Sequence, residues 1–327
     1  MACVSHADPQ LPEADPHHTV AAVDLGTQTA LLTIVRFDAR GVPEVVEDHA
    51  FLARLGAGLS SDGTLAATSR ERTREVLATF ARRIALHGVP AGRVRVVGTA
   101  VLRRARDARA FVDEVRHTCG LSIDVVDGAE EARLSWLGAT EFTPNDLRYD
   151  ALVDVGGGSA ELVGPGGVFL GSLEIGGVWS TERFAARPAV GEYDEVGWEA
   201  LERHVLAAVA TLPVRAASTP VAVGGGAVNL ASLVRGARAF DHRLADGTRV
   251  EHGAVCALAR RLARLSHEER LDLPIEAQRA AVLPAGLFAI GALVRHLGAA
   301  AVYTTGRGLR HGVALELVRA ARRETHS

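Results

Sequence analysis

The chain has 327 residues, of which 48% are hydrophobic and 23% charged, with a net charge of -3; this excludes a disordered or fibrous class and argues against general nucleic-acid binding, where a basic domain is expected. All 36 basic residues are arginine, so a Walker A phosphate loop and lysine Schiff-base or lysine-base chemistry are excluded, because each needs the amine. The length suits two lobes with a cleft between them better than a single core.

Taken in chain order, residues 1–18 are rich in His, Pro and Asp, with no basic region leading into an apolar one. They predict a loose tail rather than a secretory leader, and a cytoplasmic protein. Residues 21–32 read as a buried strand, Asp24, a tight turn at Gly26 and a second strand. A helix is expected over 71–87, followed by short β-branched strands at 94–97 and 123–126. Gly98-Thr99-Ala100-Val101-Leu102-Arg103 then forms a strand-to-helix turn, and Asp127 is positioned to cap a helix that carries Glu130 and Glu131 in its first turn. Residues 143–146, Thr-Pro-Asn-Asp, read as the turn between lobes spanning 19–134 and 135–327. In the second lobe a strand at 221–223 runs into Gly224-Gly225-Gly226 and a helix over 227–233, and a strand at 301–303 leads to a terminal helix, which is free to pack back on the first lobe. The uncharged stretch 280–294 contains Pro284 and falls short of the ~20 residues that span a bilayer, so it reads as a buried helix, with no membrane contact. Alternation of this kind implies an α/β fold with mixed sheets.

The strongest organising signal is an internal repeat. Ala21-Ala-Val-Asp24-Leu-Gly26-Thr27-Gln-Thr29-Ala30 matches Ala151-Leu-Val-Asp154-Val-Gly156-Gly157-Gly158-Ser159-Ala160 about one lobe's length later. One Asp-x-Gly turn is ordinary hairpin chemistry. Two copies at domain spacing form a clamp: glycine amides surround an anion with no side chain in the way. Asp24 or Asp154 can hold Mg²⁺, or Mn²⁺, with Glu161 as a further carboxylate, because such hard ions take one or two carboxylates plus phosphate oxygens. Ser159 adds a hydroxyl, and Arg103 can grip phosphate in bidentate fashion. A glutamate at the start of the helix after Asp127 can orient a water for attack on phosphorus; the plain alternative is complementarity to the helix dipole. Gly157-Gly158-Ser159-Ala160-Glu161 lacks the second glycine of a serine-hydrolase elbow. Cys3, Cys119 and Cys256 are odd in number and widely spaced, which suits reduced thiols, and none of the 13 histidines forms a pair with metal-ligand spacing.

Together these motifs, closed by Gly306-Arg-Gly-Leu-Arg-His-Gly312, resemble the exopolyphosphatase and guanosine pentaphosphate phosphohydrolase family of the actin-like ATPase superfamily. The resemblance implies a two-lobed, duplicated ribonuclease H-like fold and hydrolysis of terminal phosphate from inorganic polyphosphate or guanosine pentaphosphate, without nucleic acid. It assigns water activation to Glu131, phosphate contacts to Gly26, Thr27, Thr29, Arg103, Gly156, Gly157, Gly158 and Ser159, and metal contacts to Asp24, Asp154 and Glu161. The chain differs from the family pattern at Thr27-Gln28-Thr29, at Ala160 and at Asp127, the last adding a negative charge. It also lacks the C-terminal extension of longer members, which implies weaker processivity on long polymers. A homodimer stays open. Two further readings use the same fold: a sugar or acetate kinase, which needs an acceptor base and has no use for the Glu130-Glu131 turn, and a non-catalytic phosphate sensor.

Overall fold

The computed structural model describes residues 19–325 except 39, 60–62 and 143–146; the expected tail and the expected turn at the lobe junction lie outside the described residues. Two sheets organise the chain. The first contains β1 (Thr19–Leu25), β2 (Ala30–Phe37), β3 (Pro43–Phe51), β4 (Val94–Gly98) and β5 (Ile123–Val125), in the order β3-β2-β1-β4-β5. The second contains β6 (Ala151–Val155), β7 (Ala160–Gly164), β8 (Val168–Leu173), β9 (Pro220–Val223), β10 (Thr248–Glu251) and β11 (Ala301–Thr304), in the order β10-β11-β9-β6-β7-β8. Read from β8 to β11, the second sheet repeats the first: a three-stranded antiparallel meander, then two parallel neighbours, with β10 added at the edge. The sequence repeat at Asp24 and Asp154 is thus the start of a repeated sheet. Strands β3, β8 and β10, without strong alternation in sequence, complete the meanders and one edge.

Helices cover both faces of each sheet, which is why β1 and β6 are apolar along nearly their whole length. In the first lobe α1 (Ala67–Leu86) and α3 (Ala108–Cys119), which follows the short α2 (Ala100–Arg104), bury Leu77, Phe80, Phe111 and Val115 against one face. In the second, α5 (Gly177–Phe184), α6 (Glu195–Val209), α7 (Gly224–Val234), α8 (His252–Arg264), the short α9 (His267–Leu271) and α10 (Leu283–His296) follow in chain order. Helix α10 lies almost wholly inside the core, so the uncharged stretch around Pro284 is a buried helix. No helix among the described residues is long and apolar enough to cross a membrane.

Helix α4 (Gly128–Glu141) is shared. Leu134 and Leu137 join the core under the first sheet, while Ala132 and Ala139 join the core under the second. An apolar surface on two sides commits a helix to burial between two partners, so the start of α4 lies where the lobes meet. The last helix, α11 (Leu309–Thr325), crosses α4 and contributes Val313, Ala314 and Val318 to the core under the first sheet.

That crossing depends on bare backbone. A Cβ at Gly312 would lie 1.9 Å from the Leu134 carbonyl oxygen, and one at Gly138 would lie 2.2 Å from the Gly308 carbonyl oxygen. Backbone cannot move aside as a flexible side chain can. Gly312→Ala is therefore expected to destabilise the fold by about 3 kcal/mol or more, read as a lower denaturation midpoint with an unchanged slope.

Candidate active site

The two hairpin turns are built alike. The Gly26 amide donates to the Thr29 carbonyl at 3.0 Å, and the Gly156 amide donates to the Ser159 carbonyl at 3.0 Å. The turns face one another across the lobes and touch. A Cβ at Gly157 would lie 3.0 Å from Thr27 Cβ, and one at Gly158 would lie 2.8 Å from Thr27 Oγ1. Glycine is required at both places so that the threonine of one turn can rest on the backbone of the other. No acceptor among the described residues takes the amides of Thr27, Gln28, Gly157 or Gly158, which leaves them available to an anion. Gln28 Nε2 donates to the Gln278 carbonyl at 3.4 Å, a second tie between the lobes.

Asp24 and Asp154, near the ends of β1 and β6, open onto a cleft of about 600 Å³. Their surroundings differ. Across the antiparallel pairs Asp24 faces Leu31, whereas Asp154 faces Glu161, so only the second hairpin brings in another carboxylate. Glu161 is buried and accepts hydrogen bonds from Ser159 Oγ at 2.8 Å and Ser172 Oγ at 2.7 Å. Asp154 accepts one from Ser135 Oγ at 2.5 Å.

The helix start separates the glutamate pair. The Asp127 carboxylate caps α4 by accepting from the Glu130 amide at 2.8 Å, and Glu130 turns outward to Arg133 at 2.7 Å. Exposed and occupied as a cap, Asp127 carries its extra charge at the surface. Glu131 turns inward and is buried, with its Oε2 2.5 Å from Arg103 Nη1. The same guanidinium nitrogen donates to the Val126 carbonyl at 3.0 Å, and Arg103 Nη2 lies 3.8 Å from Glu161. Arg103 therefore stands between two carboxylates that sequence alone could not place side by side.

This much acid in little water shifts its titration. Burial, then the charge of Asp154, push Asp24 up to about 7, against a weaker pull from Arg310. Burial and Asp154 also push Glu161 up to about 7, against the two serine hydroxyls and Arg103. Glu131 is held well above the usual carboxylate range by burial and by Glu161, with Arg103 offsetting only part. Burial raises Asp154 too, and Ser135 opposes it.

The cleft holds residues without a sequence assignment. Arg243, Arg279, Arg307 and Arg310 line it along with Phe240 and Glu276. Arg310 pairs in bidentate fashion with Asp48 on β3 at 2.9 Å, and Arg279 Nε donates to Glu276 at 2.6 Å. Arg307 lies over the Phe142 ring and donates to the buried His311 at 3.1 Å; burial and the two neighbouring arginines hold that imidazole neutral. Helical spacing does give a signal for Ser135, which lies one turn after Glu131 on the same face. Ser172 gives none, because β8 carries no pattern that marks it as a strand.

Asp24 and Asp154 form no ion pair with an arginine among the described residues. Two hard-oxygen donors without a paired cation fit a divalent ion that completes its shell with phosphate oxygens and water. No group of three or more His, Cys, Asp or Glu side chains among the described residues is placed to hold a metal without such help.

The model of the Ppx/GppA phosphatase family matches residues 33–321. The chain belongs to this family. It is 30% identical to a guanosine-5'-triphosphate,3'-diphosphate pyrophosphatase of Photobacterium profundum, over 91% of this chain and 59% of the relative. It thus spans about three-fifths of that curated relative's length. The Aquifex aeolicus member of the Ppx/GppA family superposes with a TM-score of 0.76 at 26% identity, covering 95% of this chain and 99% of the other. An exopolyphosphatase-like protein superposes at 0.82 and 27%, covering 92% and 99%. As in these Ppx/GppA relatives, the fold is the duplicated actin-like one.

The raised carboxylates make a pH prediction for this Ppx/GppA chain. A carboxyl whose folded pKa exceeds its unfolded value binds more protons when folded, so stability falls as pH rises from the ordinary carboxylate range to about 7. His311 opposes this below pH 6.5, as one group against four. In chelator, melting temperature should fall between pH 5 and pH 8, and millimolar Mg²⁺ should recover much of the loss at pH 8; a melting temperature that rises over that range would contradict the burial of these acids.

Proposed function

We propose that this chain hydrolyses the terminal phosphoanhydride of inorganic polyphosphate, with Glu131 activating water, and that a divalent cation assists. The observation that carries the reading is the buried Glu131–Arg103–Glu161 cluster beside two facing phosphate loops. A sensor would have no use for a buried carboxylate held well above its usual range. Phosphoanhydride hydrolysis needs positioning, charge neutralisation and an oriented water.

Arg103 sets the order of events. Its guanidinium rests on Glu131 Oε2. A terminal phosphoryl group resting on the free amides of Gly157 and Gly158 offers Arg103 better acceptors in bidentate geometry. When Arg103 turns to those oxygens, Glu131 loses its counter-charge while Glu161 keeps repelling it, and it becomes a stronger base. It then accepts a proton from a water whose oxygen attacks phosphorus in line. The bond to the bridging oxygen breaks, and that oxygen leaves on the shortened chain. Ser159 and Ser172 fix Glu161 throughout. A cation held by Asp24 and Asp154 would supply neutralisation of the phosphate oxygens.

Guanosine pentaphosphate is the second substrate reading. It is favoured by the name of the Photobacterium relative and by a cleft of about 600 Å³ that carries Phe240 beside four arginines, a volume within the usual range for small-molecule sites.

Phosphate release with Mg²⁺ from long-chain polyphosphate, short-chain polyphosphate and guanosine pentaphosphate tests the reading. Release from the polyphosphates is expected; release from the nucleotide alone would move the chain to the second reading, and silence on all three would remove both. Glu131→Gln should lower turnover by ~10²–10⁴-fold with substrate binding largely kept. Near-wild-type turnover in that variant would take Glu131 out of the mechanism.

A further inference from the structure

A second cavity, of about 190 Å³, borders the first phosphate loop and shares no lining residue with the large cleft. Both lobes build it: Thr27, Gly56 and Arg104 on one side, Trp179, Glu182 and Arg183 on the other. Its volume lies below the ~300 Å³ at which ordinary small-molecule pockets begin. One phosphate group fits such a space, whereas a nucleoside with its phosphates does not.

The charges at its walls are available. Arg104 Nε lies 3.3 Å from Glu174, an acid whose side chain is 63% exposed. Pairs of this kind contribute little and exchange readily for a better anion. Arg183 is held by its face over the Trp179 ring, 4.9 Å from the centroid, and pairs with no carboxylate among the described residues. A guanidinium stacked on an aromatic ring keeps its in-plane donors free for another acceptor. Glu182, the one acid in the lining, shares its charge with Arg104 and also takes a hydrogen bond from the Gly58 backbone across the lobes.

We propose that this cavity is a second phosphate subsite, holding one phosphoryl group between Arg104 and Arg183 next to Thr27. Its meaning rests on the phosphohydrolase reading: the group is either orthophosphate cut from the chain or a unit of the chain still uncut. Two arginines from opposite lobes would also let the bound phosphate hold the lobes together.

Equilibrium dialysis with labelled orthophosphate and with tripolyphosphate reads the subsite without turnover, on the wild type and on a double variant, Arg104→Gln with Arg183→Gln. If the occupant is product, the variant binds one orthophosphate fewer per chain. If it is a chain unit, the orthophosphate count stays the same and tripolyphosphate binding weakens about tenfold or more, the loss expected for charge-assisted hydrogen bonds. Trp179 emission should respond to the ligand in the wild type and not in Arg183→Gln, with Arg183→Lys restoring part of the response. Arg183→Gln alters one exposed side chain and serves alone should the double variant melt early. Equal counts together with equal tripolyphosphate affinity overturn the proposal. A chain that releases no phosphate from any substrate, yet loses a site in the variant, would overturn the hydrolase reading and leave the subsite standing.

Discussion

Thr27 of the first hairpin turn rests on Gly157 and Gly158 of the second, where a Cβ would come within about 3 Å of it. Bare backbone at one turn and a small hydroxyl residue at the other let the lobes approach until their amides form one surface. With larger residues there the lobes would stand apart, Asp24 and Asp154 would not share a cleft, and Asp154 would not raise the pKa of Asp24. The duplicated sheets, the shared helix α4 and the ties at Gln28 and Arg310 hold the two turns in that position.

Four carboxylates gather beside a cleft whose walls also carry Arg243, Arg279, Arg307 and Arg310. Asp24, Glu131, Asp154 and Glu161 converge, and Arg103 lies within ion-pair distance of only two of them. Burial makes each ionisation costly, raising all four and pushing Asp24 and Glu161 up to about 7. Such a site is poorly arranged for an anion alone and well arranged for an anion that brings a cation. The Arg103 guanidinium is divided between Glu131 and Glu161, and under the proposed function a phosphate would compete with Glu131 for it.

Helix α4 gives this coupling a rigid frame. Its Asp127 cap fixes the first turn, Glu130 anchors outward on Arg133, and Glu131 and Ser135 point to the same side, one toward Arg103 and the other toward Asp154. Because the opposite faces of α4 are buried under different sheets, movement of either lobe acts on Glu131 directly. The crossing with α11 through Gly138 and Gly312 leaves the helix little freedom to slide.

The sequence by itself determined the repeat and the identity of its reactive groups. Asp-x-Gly turns flanked by apolar runs are local features, and local backbone chemistry was enough to predict β1, β2, β6, β7 and the Asp127 cap. The absence of lysine was equally decisive about what the site is not. Only the tertiary structure decided which glutamate of Glu130-Glu131 turns inward, because both occupy the first turn of a helix and the choice depends on what packs around it. Ser172 and Arg279 lie far from the motifs in the chain; Ser172 reaches Glu161 through β8 and Arg279 reaches the cleft through the residues before α10, while Arg307, inside the closing motif, enters the cleft at the turn into α11. Their placement is a matter of long-range packing. A residue's neighbours along the chain carry no information about a partner that arrives from another lobe.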